Sequence, residues 1–302
     1  SGAIQDATIT NENYYSPDWD GDWKHAVVET EDGWSAEFLI PWTVASMKGS
    51  GAPTRTIALM FDRVLGHTSE RSGFPAASFN RPRFVSEYHK VQIKQYRASV
   101  FHVFPYLSAN YDQVGNAGDG KAGADLYWKP SGDLQLTAAL NPDFGQVEAD
   151  ELVVNFDAIE TFFSDKRPFF TENQGLFDLR TPDNGLLIYT RRIGGPRDDD
   201  AVGAAEIDVA LKLNGSALGF DYGVMTAQES QYASDIGSLF YAQRLLRTGE
   251  NFSVGYLGTW TDRPFLQRES MANAVDGNWR VNDRWALTGQ AVGSASGERI
   301  GG

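Results

Sequence analysis

No cysteine occurs among the 302 residues. That absence excludes a disulfide framework, thiol catalysis and a zinc–thiolate site. Histidine is nearly as scarce: His25, His67, His89 and His102 stand far apart and offer no metal-ligand spacing. No serine-centred nucleophile elbow is present. The run from Gly118 to Gly123 formally fits G-x-G-x-x-G, but it reads as a polar loop before a strand, not a strand-to-helix turn, and is a false match. Carboxylate pairs are too abundant to single out a glycosidase acid and base. No catalytic constellation therefore emerges. Positive charge is also short: 26 Lys and Arg against 40 Asp and Glu leave −14. Such acidity argues against nucleic acid as a partner and gives no polybasic handle for anionic lipid. No apolar run is long enough for a transmembrane helix, so a chain of this sequence that crosses a bilayer must do so as a barrel. No signal peptide stands at Ser1 and no closing aromatic strand at residues 298–302. If the chain does cross a membrane as a barrel, these features are expected elsewhere, and the chain reads as a piece truncated at both ends of a longer protein.

What is present is an alternating polarity over the last hundred residues. Ile207, Val209, Leu211 and Leu213 share one face of a strand, with Glu206, Asp208, Ala210 and Lys212 on the other. Asn214-Gly215 then reads as a two-residue hairpin turn, since both residue types tolerate positive φ. Leu218, Phe220, Tyr222 and Val224 alternate with Ala217, Gly219, Asp221 and Gly223. A long loop over 227–236 follows. Strands over 238–246 and around Phe252 to Trp260 flank the short turn 247–250. A second long loop spans 262–270. Val275, Gly277, Trp279 and Val281 then alternate with Asp276, Asn278 and Arg280 before a turn at Asn282-Asp283. Alternately short and long connections are the habit of an antiparallel barrel crossing a membrane. Runs of about 9–11 residues suffice for a tilted strand to span a bilayer core. In a soluble sandwich the apolar face would be the core; in a membrane barrel it meets lipid.

The character changes near residues 93–98. Before it, "SPDWDGDWKHAVVETEDGWSAEFLIPW" (16–42) holds two strands, 26–30 and 34–40, around an Glu31-Asp32-Gly33 turn, and Pro41 ends the second. A further strand is read over 56–61 and a long loop over 66–83. The segments "DWDGDW" and "EDGWSAEFLIPW" resemble the second half of the carbohydrate-binding module family 9 sandwich. The resemblance implies a partial β-sandwich over 1–93 and an oligo- or polysaccharide partner. Flat aromatic faces suit the C–H face of a pyranose, and Trp19, Trp23 and Trp42 are the candidates. Trp34 alternates with Ala36 and Phe38 and is expected in the sandwich interior. Asp18, Asp20 and Asp22 are weak calcium candidates: they offer oxygens, but the rest of a calcium loop is missing and a solvated acidic turn explains them as well. No other cofactor is expected.

The second resemblance is longer. "GADLYWKPSGDLQLTAALNPDFGQVEADELVVNFDAIETFFSDKRPFFTENQGLF" and "LLIYTRRIGG" resemble the hallmark region of domain-of-unknown-function family 5916, a bacterial family that joins a module-9-like periplasmic domain to an outer-membrane barrel. The resemblance implies a cell outer membrane location with the N-terminal domain in the periplasm, and membrane lipid as a partner. The residues themselves predict a strand over 134–140, a short helix through Leu152, Phe156, Ile159 and Phe163 with Asp150 as N-cap, and a strand over 186–193. Residues 141–184 read as a plug-like or irregular insert. Glu148, Asp150, Glu160, Lys166, Arg167, Arg191 and Arg192 make this stretch the most charge-dense. Such charges line a solute path or pair as fixed anchors.

The expectation is thus an all-β chain: a partial sandwich followed, over 94–302, by the N-terminal part of an antiparallel transmembrane-type β-barrel with a short helical insert. Glycan capture or passage is the leading function, and a non-enzymatic one. The alternative is a soluble secreted carbohydrate-active protein, a glycoside hydrolase or its accessory module.

Overall fold

The computed structural model describes residues 5–10, 12, 14–17, 21, 23–42, 44, 53–81, 83–95, 99–112, 116–142, 165–181, 185–199, 203–231, 237–249, 251–282 and 284–298. It is all-β, and the chain divides into two compact units, Ser1–Ala98 and Ser99–Gly302.

In the first unit the strands are β1 (Thr8–Thr10), β2 (Tyr14–Ser16), β3 (Lys24–Thr30), β4 (Gly33–Leu39), β5 (Thr54–Leu59), β6 (Phe61–Leu65), β7 (Glu70–Phe74) and β8 (His89–Lys94). They pair as four separate antiparallel ladders, β1–β2, β3–β4, β5–β8 and β6–β7. Thr30 opposite Gly33 closes the β3–β4 hairpin through Glu31-Asp32, at the turn the sequence suggests. Glu12 stitches distant parts together, its carboxylate accepting from the Phe84 and Ser86 backbone N–H groups at 3.0 and 2.9 Å. The interior position expected for Trp34 is corrected: it is 58 % exposed, as is most of Phe38. Alternation assigns both to one face, but no second sheet covers that face among the described residues.

The second unit is one sheet of nine strands in strict chain order: β9 (Val100–Asp112), β10 (Ala117–Ser131), β11 (Leu134–Leu140), β12 (Ile207–Ala217), β13 (Phe220–Glu229), β14 (Leu239–Thr248), β15 (Phe252–Arg263), β16 (Arg268–Arg280) and β17 (Ala286–Glu298). Every pairing is antiparallel. β9 and β17 do not pair with each other, so the sheet does not close into a barrel among the described residues. No helix of the described residues is long and apolar enough to cross a membrane, which says nothing of crossing by strands.

Several boundaries differ from expectation. β12 runs straight through Asn214-Gly215, and the turn falls at Leu218-Gly219, with φ of 54° and 80°. The two registers differ by an even shift, so both keep the same residues on the same face, and alternation cannot choose between them. The longer pairing adds ladder hydrogen bonds and lays the Tyr222 ring over Gly215, where a Cβ would collide with its hydroxyl. The expected long loop 262–270 is only a 3-10 turn, Pro264–Leu266, because β15 and β16 pair all the way to Arg263 and Arg268. The Gly118–Gly123 run lies inside β10, not in a loop. The expected strand over 186–193 is absent: Leu186 makes one isolated bridge to Arg180, and Thr190–Arg192 form a 3-10 turn. The expected helix through Leu152 and Phe163 lies outside the described residues.

β11 pairs directly with β12, Leu140 opposite Val209. The connection from 141 to 206 therefore leaves and re-enters at the same end of the sheet. Its described part carries two one-turn helices, α1 (Pro168–Thr171) and α2 (Gln174–Phe177), and lies on one face of the sheet. Pro168 at the first helical position starts α1 without wasting a donor. Phe169, Phe170, Phe177 and Ile193 pack there on Ala139, Ala210, Met225, Ala227, Ala242, Leu257 and Ala274. Each such aromatic or aliphatic side chain contributes about 1.5–3 kcal/mol on burial. The sheet supplies small residues so that the inserted segment can supply large ones.

Candidate functional site

The covered face is the polar one. Counting outward from the register, Gln135, Thr137, Lys212, Asn214, Glu229, Arg244 and Asp276 all point under or beside the inserted segment. The opposite face carries Leu134, Leu136, Leu140, Val209, Leu211, Leu213, Val224, Leu245, Val254, Met271, Val275 and Trp279, exposed or half-exposed. A water-soluble sheet buries its apolar face and wets its polar one; here the order is reversed. Even the amides on the apolar face are occupied: the Tyr241 hydroxyl donates to Gln243 Oε1 at 3.0 Å, and Tyr256 to Asn273 Oδ1 at 2.6 Å.

Two charges of the covered face are matched within it. Arg244 and Asp276 form a bidentate ion pair, with Nη2 to Oδ2 at 2.9 Å. They sit on β14 and β16, so the guanidinium must cross β15, and it does so over Gly255. A Cβ there would stand 2.6–2.7 Å from the guanidinium. Gly255→Val should therefore displace Arg244, break the pair and cost about 1–3 kcal/mol. Denaturant midpoints of Gly255→Val and Gly277→Val, the second having only one ordinary backbone contact nearby, check this.

The inserted segment is tied to itself by one knot. Arg167 donates from Nε to Asp165 Oδ1 at 2.9 Å, from Nη2 to Asp165 Oδ2 at 2.6 Å and to Thr190 O at 2.8 Å, and from Nη1 to Ile193 O at 2.7 Å. Thr190 Oγ1 donates to Asp165 Oδ2 at 2.7 Å, and the guanidinium stacks 4.1 Å from the Phe170 ring. Burial alone would push the Asp165 carboxyl up, but the Arg167 hydrogen bonds and charge and the Thr190 hydroxyl more than offset it, holding it below the usual aspartate range. The sign follows: a carboxyl lowered on folding adds stability above its ordinary value, and that stability is lost as pH falls through the lowered one. The segment should thus loosen only in acid, below about pH 4. An unfolding midpoint followed against pH should flatten in that window when Asp165→Asn is introduced.

Its ties to the sheet are separate. Lys212, 1 % exposed, donates to Phe169 O and, at 2.6 Å, to Glu172 O, closing the end of α1. Thr137 Oγ1 donates to Glu172 Oε2 at 3.1 Å. Gly194 N donates to Glu229 Oε1 at 2.9 Å, and Arg263 pairs with Asp198, Nε to Oδ2 at 3.1 Å. On β15–β17 the segment reaches Gln290, which donates to Arg180 O at 3.0 Å, and leaves the face open beyond it. Thr259, Thr261, Ser270, Ser294 and Ser296 line a shallow depression of about 280 Å3 there. Ser270 and Ser296 share a hydrogen bond at 3.0 Å.

Of the charged candidates, Arg167 is the hub of the knot. Lys166 is half-buried beside it, and Arg191 and Arg192 lie on the 3-10 turn that the knot holds, half-buried and exposed respectively. Glu148, Asp150 and Glu160 lie outside the described residues. Sequence reasoning missed Asp165's partner role, Lys212 and Glu229 as anchors. Lys212 and Glu229 were visible as charges on the polar face of strands, but what they hold, backbone carbonyls and an amide of another segment, leaves no mark in the sequence.

In the first unit, Trp23 is half-buried, its indole N–H donating to Asp6 Oδ2 at 3.0 Å, with Phe38 and His25 rings 6.0 and 5.9 Å away. Trp42 is exposed. Trp19 and the candidates Asp18, Asp20 and Asp22 lie outside the described residues. Among the described residues no group of three His, Cys, Asp or Glu could hold a metal ion.

A nine-stranded antiparallel meander, apolar on its open face and polar beneath a short inserted segment, defines the class: an all-β protein with a covered polar wall. Residues 100–210, which hold β9, β10, β11, the inserted segment and the start of β12, match the family described as Domain of unknown function (DUF5916). No curated protein and no solved structure matches the chain.

Proposed function

We propose that residues 99–302 are wall strands of an outer-membrane β-barrel, facing lipid with their apolar side and a wet lumen with their polar side, and that the inserted segment partly fills that lumen. One observation carries the reading: the face that protein covers is the polar one, and the face left open is apolar. Strands of 10–15 residues suit a tilted span of the hydrocarbon core. The function is passage or capture of a polar solute, without catalysis. The open part of the inner wall carries the hydroxyls of Thr259, Thr261, Ser270, Ser294 and Ser296. Such a wall suits a neutral, hydroxyl-rich solute, an oligosaccharide, better than an ion. The first unit then lies in the periplasm, and the exposed Trp42 ring is its candidate sugar platform, following the carbohydrate-binding-module resemblance.

Fractionation of the full-length protein from a Gram-negative host tests this. Recovery in outer membranes, with gel mobility in detergent that shifts on heating, supports a barrel. Recovery as a soluble species without detergent overturns it and turns attention to polysaccharide hydrolysis. Loss of glycan retention in Trp42→Ala, with the barrel intact, would assign sugar capture to the first unit.

A further inference from the structure

We infer that the described parts of the inserted segment, 165–181 and 185–195, form a displaceable plug, which leaves its seat on the polar wall as a body and so gates the path beneath it; this rests on the barrel reading above. Two sets of bonds point that way. The Asp165–Arg167–Thr190–Ile193 knot lies wholly within the segment and joins its beginning to its end. It therefore survives when the segment moves. The bonds from the wall reach mainly backbone groups of the segment, Lys212 to Phe169 O and Glu172 O, and Glu229 from Gly194 N. Water in a lumen can replace such hydrogen-bond partners one for one, so the apolar packing of Phe169, Phe170, Phe177 and Ile193 is what holds the segment seated.

The seat itself contains a group that opposes occupation. Asn214 is 4 % exposed on the covered face, and among the described residues neither its side-chain oxygen nor its nitrogen has a protein hydrogen-bond partner. Its cross-strand neighbour Gln135 is engaged instead with Thr137, Tyr127 and Asn173. Its neighbour on the other side is Gly223. Leu176 and Phe177 of the segment fill the space over that glycine, 2.7 and 2.6 Å from where a Cβ would stand. An amide buried against apolar groups disfavours the seated state and is solvated once the segment withdraws. A wall meant for permanent cover would carry an apolar residue there. A wall that is wetted part of the time has reason to carry an amide.

The absence of cysteine makes the test direct, since each introduced thiol is the sole one. The full-length protein is placed in outer-membrane vesicles, folding is confirmed by heat-dependent gel mobility, and a water-soluble maleimide is added. Asn214→Cys reports the seat, with Ala210→Cys as a second fully buried reporter should the first not fold. Thr288→Cys reports the open wall of β17, and Leu213→Cys the lipid face. The inference expects fast labelling at Thr288→Cys, slow but complete labelling at the seat, and none at Leu213→Cys. Adding Lys212→Met, which removes the donor to two plug carbonyls, should speed seat labelling about tenfold or more. A seat that never labels, with or without Lys212→Met, overturns the displaceable plug. A seat that labels as fast as Thr288→Cys overturns it too, because the segment then covers nothing. Rapid labelling of Leu213→Cys instead overturns the barrel reading itself.

Discussion

Val275→Arg should cost about 2–4 kcal/mol when the protein is folded in a bilayer. Val275 sits mid-strand on the apolar face, 51 % exposed, opposite Tyr256 and Ala291. For a face that meets water, a charge at so exposed a position changes stability by only about 0.5 kcal/mol in either direction. The two environments thus predict effects several-fold apart from one substitution. Leu211→Arg, on β12, should behave alike. On the covered face near the open edge, Thr288→Arg should be mild, because on the proposed reading its side chain meets water in a lumen. Denaturant titrations in lipid vesicles, read by the heat-dependent mobility of the folded form, give the comparison. Equal and small effects at Val275 and Thr288 would place both faces in water.

Arg167→Met should be the most damaging change in the inserted segment, costing about 3–5 kcal/mol. It leaves the Asp165 carboxylate, whose side chain is 2 % exposed, without its main counter-charge. It also removes the donors to Thr190 O and Ile193 O. Two effects set the size: a buried charge left unpaired, and carbonyls left unbonded. The double variant Asp165→Asn with Arg167→Met should recover much of that loss, since it removes both charges together. A double-mutant cycle on unfolding midpoints measures the coupling. Additive losses would mean the pair does not act as a unit. Arg180→Met, whose own side chain is 41 % exposed beside a half-buried Asp178, should change stability by less than about 1 kcal/mol.

Particular residues show which parts of this architecture could be read from the chain. The alternation at Val209, Leu211 and Leu213 against Ala210 and Lys212 assigned faces correctly, because a two-residue period follows from strand geometry alone. The Glu31-Asp32 hairpin was legible because the turn chemistry and the flanking alternation agree. The Asn214-Gly215 turn was misleading for a definite reason: an even shift of register preserves every face, and only Tyr222 over Gly215 and the extra pairing decide for Leu218-Gly219. The strand expected over 186–193 failed because its hydrophobic residues Leu187, Ile188 and Ile193 are spent on the packed cluster at the wall of the sheet, and Arg167 takes the Ile193 carbonyl. Trp34 shows the complementary limit: alternation places it with Phe38, but whether that shared face is covered depends on what else in the chain lies over it.

The sequence by itself determined that the chain is built of antiparallel strands, that one face of each is apolar and the other polar or small, and that no cysteine or histidine cluster supplies chemistry. These are local properties, set by period, turn residues and composition. Only the tertiary structure decided which face is covered, that β11 and β12 are neighbours across a connection from 141 to 206, and that Asp165, Arg167, Thr190 and Ile193 meet. Those facts depend on contacts between residues far apart in the chain, and the same local pattern is compatible with a soluble core and with a lipid-facing wall. The proposed lipid-facing reading rests on the polarity of the covered side, because leaving Leu211 and Val275 exposed is unfavourable in water and favourable against lipid.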